Sequence, residues 1–149
     1  LADLGGRTSP FKDKAPGAIY IPAGESYRVT ATTELELAVC AAPGGGNHPV
    51  RVIADADMGL EVRGTGSNAR RVRNILHDAD TGAESLLVVE VITPEGNWSS
   101  YPPHKHGANA LPEENSLEET YYHRLNPSQG FAFQRVYTDD RSFARSMKP

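Results

Sequence analysis

The segment 97–125 reads NWSSYPPHKHGANALPEENSLEETYYHRL, placing His104 and His106 on either side of one lysine, ahead of a group of acids and an aromatic run. In an extended chain residues i and i+2 face the same side, about 6.6 Å apart. His104 and His106 can therefore converge on one ion while Lys105 points away. Imidazoles suit Zn, Fe, Ni, Cu or Mn, and a carboxylate from a neighbouring strand would complete a mixed nitrogen and oxygen site with room for a substrate. Glu119 heads the stretch ETYYH, where alternation sets Glu119, Tyr121 and His123 on one face and Thr120, Tyr122 and Arg124 on the other. An isolated H-x-H is more often part of a solvated loop than a metal site. The acid-headed aromatic strand brings the metal reading level with it, so both stay open on the residues alone.

The elements that must position these side chains are strands. AIYIPAGESYRVTAT (18–32) and LELAVCAAP (35–43) alternate apolar with polar residues and are rich in Ile, Tyr, Val and Thr, which predicts half-buried antiparallel strands. AAPGGGNHPV breaks regular structure and leads into a charged segment, 51–76, that reads as a connector with short strands. A strand is expected from Leu86 to Thr93, stopped by the Pro-Glu-Gly-Asn turn, and two more in LEETYYHRL and GFAFQRVYT, separated by NPSQG. The chain then stops at RSMKP without a predicted closing strand. No amphipathic helix and no internal repeat is visible. The fold class is all-β, a sandwich or barrel.

Composition narrows the function. The chain has 149 residues, enough for one compact domain, with 38% hydrophobic residues and a formal net charge of −4. That charge gives no reason to expect nucleic acid as a partner. The most apolar stretch, SLLVVEVI, is broken by Glu90 and falls far short of the roughly 20 residues of a membrane span. No basic-then-apolar leader is read at the start. The lone Cys40 excludes an internal disulfide, fits a reducing compartment and reads as a buried small hydrophobe rather than a nucleophile. The chain is accordingly expected in the cytoplasm. Gly64-Thr65-Gly66 precedes no helix, which argues against a dinucleotide loop. Arg63, Arg70, Arg71 and Arg73 read as a solvated or interdomain face, Asn97 as a sequon without a secretion signal, and His48 and His77 as exposed loop residues.

Three stretches together, NWSSYPPHKH, LEETYYHRLNPSQGFAFQRVYTDDRS and RVRNIL, resemble the 5-deoxy-glucuronate isomerase family of bacterial myo-inositol catabolism. The resemblance implies a bicupin, two double-stranded β-helix domains in one subunit, with a divalent metal, Zn or Mn, in the second. It matches His104 and His106 to the family's H-x-H pair and Glu119 to its glutamate, with Glu118 as the rival. The stretch GANALPEENSL is longer than the general cupin motif allows between these ligands. IYIPAGESYRV has the shape of a cupin motif with Tyr27 where a histidine would stand, implying a first half that has lost its metal. On this basis 1–42 is expected to close the first cupin domain, 43–85 to connect, and 86–149 to open the second. The chain would then be a fragment spanning both domains, with a further ligating histidine beyond Pro149 and no isomerase activity by itself.

The activity implied is an aldose–ketose isomerisation of 5-deoxy-D-glucuronate to 5-dehydro-2-deoxy-D-gluconate. The metal would polarise the carbonyl and its neighbouring hydroxyl, Tyr121 or His123 would move the proton, and Arg135 or Arg124 would hold the uronate carboxylate. Competing readings are the related uronate ketol-isomerase of pectin breakdown, a metal-dependent cupin oxygenase and a non-catalytic sugar-binding cupin. The partner expected is a small uronate sugar, with no nucleic acid or membrane; the oligomeric state is left open, a homo-oligomer included.

Overall fold

A computed structural model describes residues 4–101, 104–140 and 144–147. It contains seven strands, two short 3₁₀ turns and no α-helix among the described residues, so the all-β expectation holds. The chain divides into two compact units, Leu1–Pro102 and Pro103–Pro149.

In the first unit β1 (Ala18–Tyr20) pairs antiparallel with β2 (Arg51–Ile53). β3 (Gly59–Arg63), β4 (Arg70–Leu76) and β5 (Val88–Ile92) form an antiparallel meander in that order. The β3–β4 turn contains Gly64, whose φ is 77° and where a Cβ would lie 2.3 Å from the Asn68 carbonyl oxygen. Only glycine fits there. Gly64-Thr65-Gly66 is thus hairpin chemistry. The turn after β5 docks on this hairpin: Asn97 Nδ2 donates to the Ala69 carbonyl at 2.7 Å and the Trp98 N–H to the Ser67 carbonyl at 2.7 Å. The core is small, built from Ala15, Tyr20, Ile53, Met58 and Leu76, with Ala18, Ile75, Ala83, Leu86 and Val88 packed against it. The expected connector, 43–85, thus carries three of these strands.

The arginine expectation needs correcting at Arg73, which is buried rather than solvated. Its guanidinium donates to the Asp13 carbonyl at 2.6 Å and meets Asp55 at 3.3 Å and Glu90 at 4.0 Å. A charge is tolerated inside when its donors are taken up. Arg63 pairs with Glu61, Arg71 with Asp13, and Arg70 binds Asn68. His77 lies in a loop.

Several expected strands are shorter or missing. Of 18–32 only Ala18–Tyr20 is a strand, and 35–43 contains none. Alternation provides a face, but a strand exists only where a neighbour takes its backbone groups. Val29, Leu37 and Val39 stay exposed, as does Tyr27. Cys40 is exposed as well, contrary to the buried site expected of it.

In the second unit LEETYYHRL forms no strand, and GFAFQRVYT contributes only β6 (Gln134–Tyr137). Contrary to the missing closing strand, β6 pairs antiparallel with β7 (Ala144–Met147), Gln134 opposite Met147 and Tyr137 opposite Ala144. Among the described residues no helix is long and apolar enough to cross a membrane.

Candidate metal centre

His104, His106 and Glu119 form a cluster in which one ligand atom from each lies within 4.8 Å of the others. The two imidazoles meet edge to face, centroids 5.0 Å apart and planes at 74°. His104 Nε2 lies 3.6 Å from Glu119 Oε1. Two imidazoles and a carboxylate are the donor set of many catalytic zinc sites, which keep one position open for water or substrate. Donors around a tetrahedral zinc stand roughly 3.3 Å apart, from bonds near 2.0–2.1 Å. The cluster approaches that spacing, and its members are at least partly exposed.

The backbone brings the glutamate back to the histidines through the stretch 107–117. Ala110 and Glu114 form an isolated antiparallel bridge, with the Ala110 N–H donating to the Glu114 carbonyl at 2.8 Å and the Glu114 N–H returning to Ala110 at 3.1 Å. The Leu117 N–H donates to the His106 carbonyl at 3.0 Å, and the Ser116 N–H to Asn109 Oδ1 at 3.0 Å. Glu114 Oε1 accepts from the Gly107 and Ala108 N–H groups at 2.7 and 2.9 Å, and Lys105 stands 3.4 Å from its other oxygen. The Gly107 N–H above all, joined by Ala108 and Lys105, outweighs the opposing effect of burial and holds the Glu114 carboxyl below its ordinary range.

His106 Nδ1 lies 3.1 Å from the Asn115 carbonyl oxygen. A carbonyl only accepts, so Nδ1 carries the proton and Nε2 keeps the lone pair a metal would use. Tyr121 donates its hydroxyl to Glu119 Oε1 at 3.1 Å. Burial, then the neighbouring Glu119 carboxylate, pushes the Tyr121 phenol up to about 12. In this arrangement the phenol is the hydrogen-bond donor. The His123 ring stacks on Tyr121, centroids 6.2 Å apart and planes at 8°, and its Nε2 lies 3.2 Å from Gln134 Oε1. Contacts between residues 119, 121 and 123 give the i, i+2 face expected of an extended chain, although no strand forms.

The carboxylate in the cluster is that of Glu119; Glu118 is not among its members. Arg135 lies over the Tyr137 ring, 5.4 Å from its centroid. Since neighbours on a strand alternate faces, β6 directs Gln134 toward His123 and Arg135 to the opposite side. Arg124 is exposed. Residues missed by sequence reasoning are Glu114, Asn115 and Gln134. The unusual length of the stretch between H-x-H and Glu119 was the signal for the first two; nothing in residue type singled out Gln134.

A family model described as the KduI/IolB family matches residues 1–149. The chain belongs to the KduI/IolB family. Among the curated KduI/IolB relatives it matches, the 5-deoxy-glucuronate isomerase of Geobacillus kaustophilus (strain HTA426) is 55% identical over 144 residues, 97% of this chain and 52% of that protein. The 5-deoxy-glucuronate isomerase of Bacillus subtilis (strain 168) is 52% identical over 145 residues, 97% of this chain and 54% of that protein. The crystal structure of an IolB-like protein from Salmonella typhimurium LT2 matches with a TM-score of 0.90 and 50% identity, covering all of this chain and 56% of the other. This KduI/IolB chain thus spans about half the length of the curated relatives it matches.

Proposed function

We propose that this KduI/IolB-family protein is a metal-dependent isomerase interconverting 5-deoxy-D-glucuronate and 5-dehydro-2-deoxy-D-gluconate, and that its strands belong to a cupin, bicupin architecture. The observation that carries the reading is the convergence of His104, His106 and Glu119 in a chain at least half identical to relatives that bear that isomerase name. His104, His106 and Glu119 would hold a divalent metal, Zn or Mn. A metal held there would supply Lewis acidity toward the reacting carbonyl and its neighbouring hydroxyl.

The protein's own groups do the rest. Isomerisation removes a proton from the carbon bearing the hydroxyl and returns one to the carbonyl carbon, while a second proton passes between the two oxygens. His123, with Nε2 bound to Gln134, keeps Nδ1 as the basic nitrogen for the carbon proton. Tyr121, held protonated, orients Glu119 and is a hydrogen-bond donor beside the site. A guanidinium fork suits the substrate carboxylate; Arg124 and Arg135 are the candidates, and since alternation sets both on the side away from His123, either would have to reach round its own backbone to supply it.

The test is metal content and turnover of 5-deoxy-glucuronate by the full-length parent and by its His104→Ala, His106→Ala variant, the 149-residue chain alone being expected to be inactive. The variant is expected to lose the metal and to lose activity by more than the about 100-fold reached by outer-shell changes. Equal metal content in the two proteins would sink the reading.

A further inference from the structure

From the loop geometry we infer that Glu114 is a positioning residue that sets the tautomer of His106. The stretch 107–117 has little apolar material to fold around, and what orders it is a set of bonds converging on one residue. The Glu114 side chain is 15% exposed, takes two successive N–H groups on one oxygen, and belongs to a residue whose backbone closes the Ala110 bridge in both directions. The next residue, Asn115, turns its carbonyl onto His106 Nδ1. Gly107 and Ala108, the groups Glu114 grips, directly follow His106. Glu114 thus clamps the start of the loop to its end, and the clamp brings the Asn115 oxygen and the imidazole to 3.1 Å.

The chemistry at stake is the choice between two neutral imidazole forms. A carbonyl at Nδ1 selects the form with the proton on that nitrogen and the lone pair on Nε2, and it fixes the ring against rotation. Without the clamp, the loop frays, both tautomers populate and the ring turns. The consequence for metal rests on the proposed His104–His106–Glu119 centre; the tautomer does not.

Two substitutions separate anchoring from charge. Glu114→Gln keeps an oxygen able to accept both N–H groups but loses the attraction to Lys105, whereas Glu114→Ala removes the acceptor altogether. The readouts are the ring ¹⁵N resonances of His106, amide exchange at Gly107 and Ala108, and Zn²⁺ affinity by competition with a chromophoric chelator. In the wild type and in Glu114→Gln the Nδ1–H form should dominate, with Zn²⁺ affinities within about threefold of each other. In Glu114→Ala the two tautomers should mix, the two amides should lose protection, and Zn²⁺ affinity should fall by about 10–100-fold. Should Glu114→Ala fail to fold, Glu114→Asp, one methylene too short to span both N–H groups, replaces it. An unchanged tautomer in the alanine or aspartate variant would overturn the proposal, and so would a glutamine variant as impaired as the alanine one. If the wild type binds no Zn²⁺, the metal reading falls while the His106 resonances still decide the role of Glu114.

Discussion

The two units, each taken by itself, hold their residues in place by different means. Leu1–Pro102 relies on strand ladders, an apolar cluster around Leu76 and Met58, and the buried Arg73 with its acidic and carbonyl partners. Pro103–Pro149 has one described ladder, β6 with β7. It orders its histidines through side chains bonded to backbone: Glu114 to Gly107 and Ala108, Asn109 to Ser116, His106 to Asn115. Burial enforces shape without exposing chemistry. Polar clamps leave imidazole and carboxylate atoms accessible, which a site that admits substrate needs, at the cost of lower local stability.

The sharpest way to break that contrast is Leu76→Ala. Leu76 is 2% exposed within the core, and deleting its buried side chain should cost about 3 kcal/mol, from lost transfer energy and the cavity left behind. Urea denaturation measures the loss. At a temperature where the variant remains folded, its Zn²⁺ affinity should stay within about twofold of wild type, the proposed donors His104, His106 and Glu119 being held by clamps and not by this core. A parallel collapse of metal binding would show that ladders and clamps are not separate supports.

Tyr121→Phe probes the other side of the comparison. The phenol donates to Glu119 and is itself about half exposed. Its loss should leave global stability within about 1 kcal/mol, one net hydrogen bond. Zn²⁺ affinity should fall about tenfold, the low end of outer-shell changes, since a carboxylate without its donor swings more freely. Isothermal titration with Zn²⁺ checks it; unchanged affinity would remove Tyr121 from the site.

What could be read from sequence follows the same division. The all-β class, β5 within Leu86 to Thr93, and the shared face of Glu119, Tyr121 and His123 were legible, because each depends on local alternation. The convergence of His104, His106 and Glu119 was legible as a spacing with two readings. Strands at 21–32 and 35–43 were not correctly read, since pattern shows which face a residue would take and not whether a partner strand is there. Arg73 was misread for a related reason: its partners, the Asp13 carbonyl and the acids Asp55 and Glu90, are far apart in sequence. Gln134 and the Asn115 carbonyl were invisible, one having an unremarkable side chain and the other being backbone. Glu114 lay in plain view among four acids, and only the fold distinguishes it from Glu113.

The smallest expected effect lies at Asp80, a clamp inside the ladder-built unit and so a test of whether the two kinds of support mix. Arg51 on β2 pairs with Asp80, and the Gly82 N–H donates to Asp80 Oδ1 at 2.8 Å. Burial pushes the Asp80 carboxyl up, but the Gly82 hydrogen bond and the Arg51 bond and charge, with a smaller contribution from His77, outweigh it and hold the pKa below the ordinary 3.8. A carboxyl whose folded value is depressed binds protons more readily in the unfolded chain. Its contribution is therefore fully present above pH 3.8 and is lost as pH falls through the lower folded value. Asp80→Asn should lower stability modestly at neutral pH and leave wild type and variant converging under acid. Unfolding free energies from urea melts between neutrality and strong acid would show it as a difference that narrows below pH 3.8. A difference that stays constant with pH would mean that Asp80 acts by shape alone, and the polar clamp in this unit would then carry no electrostatic part.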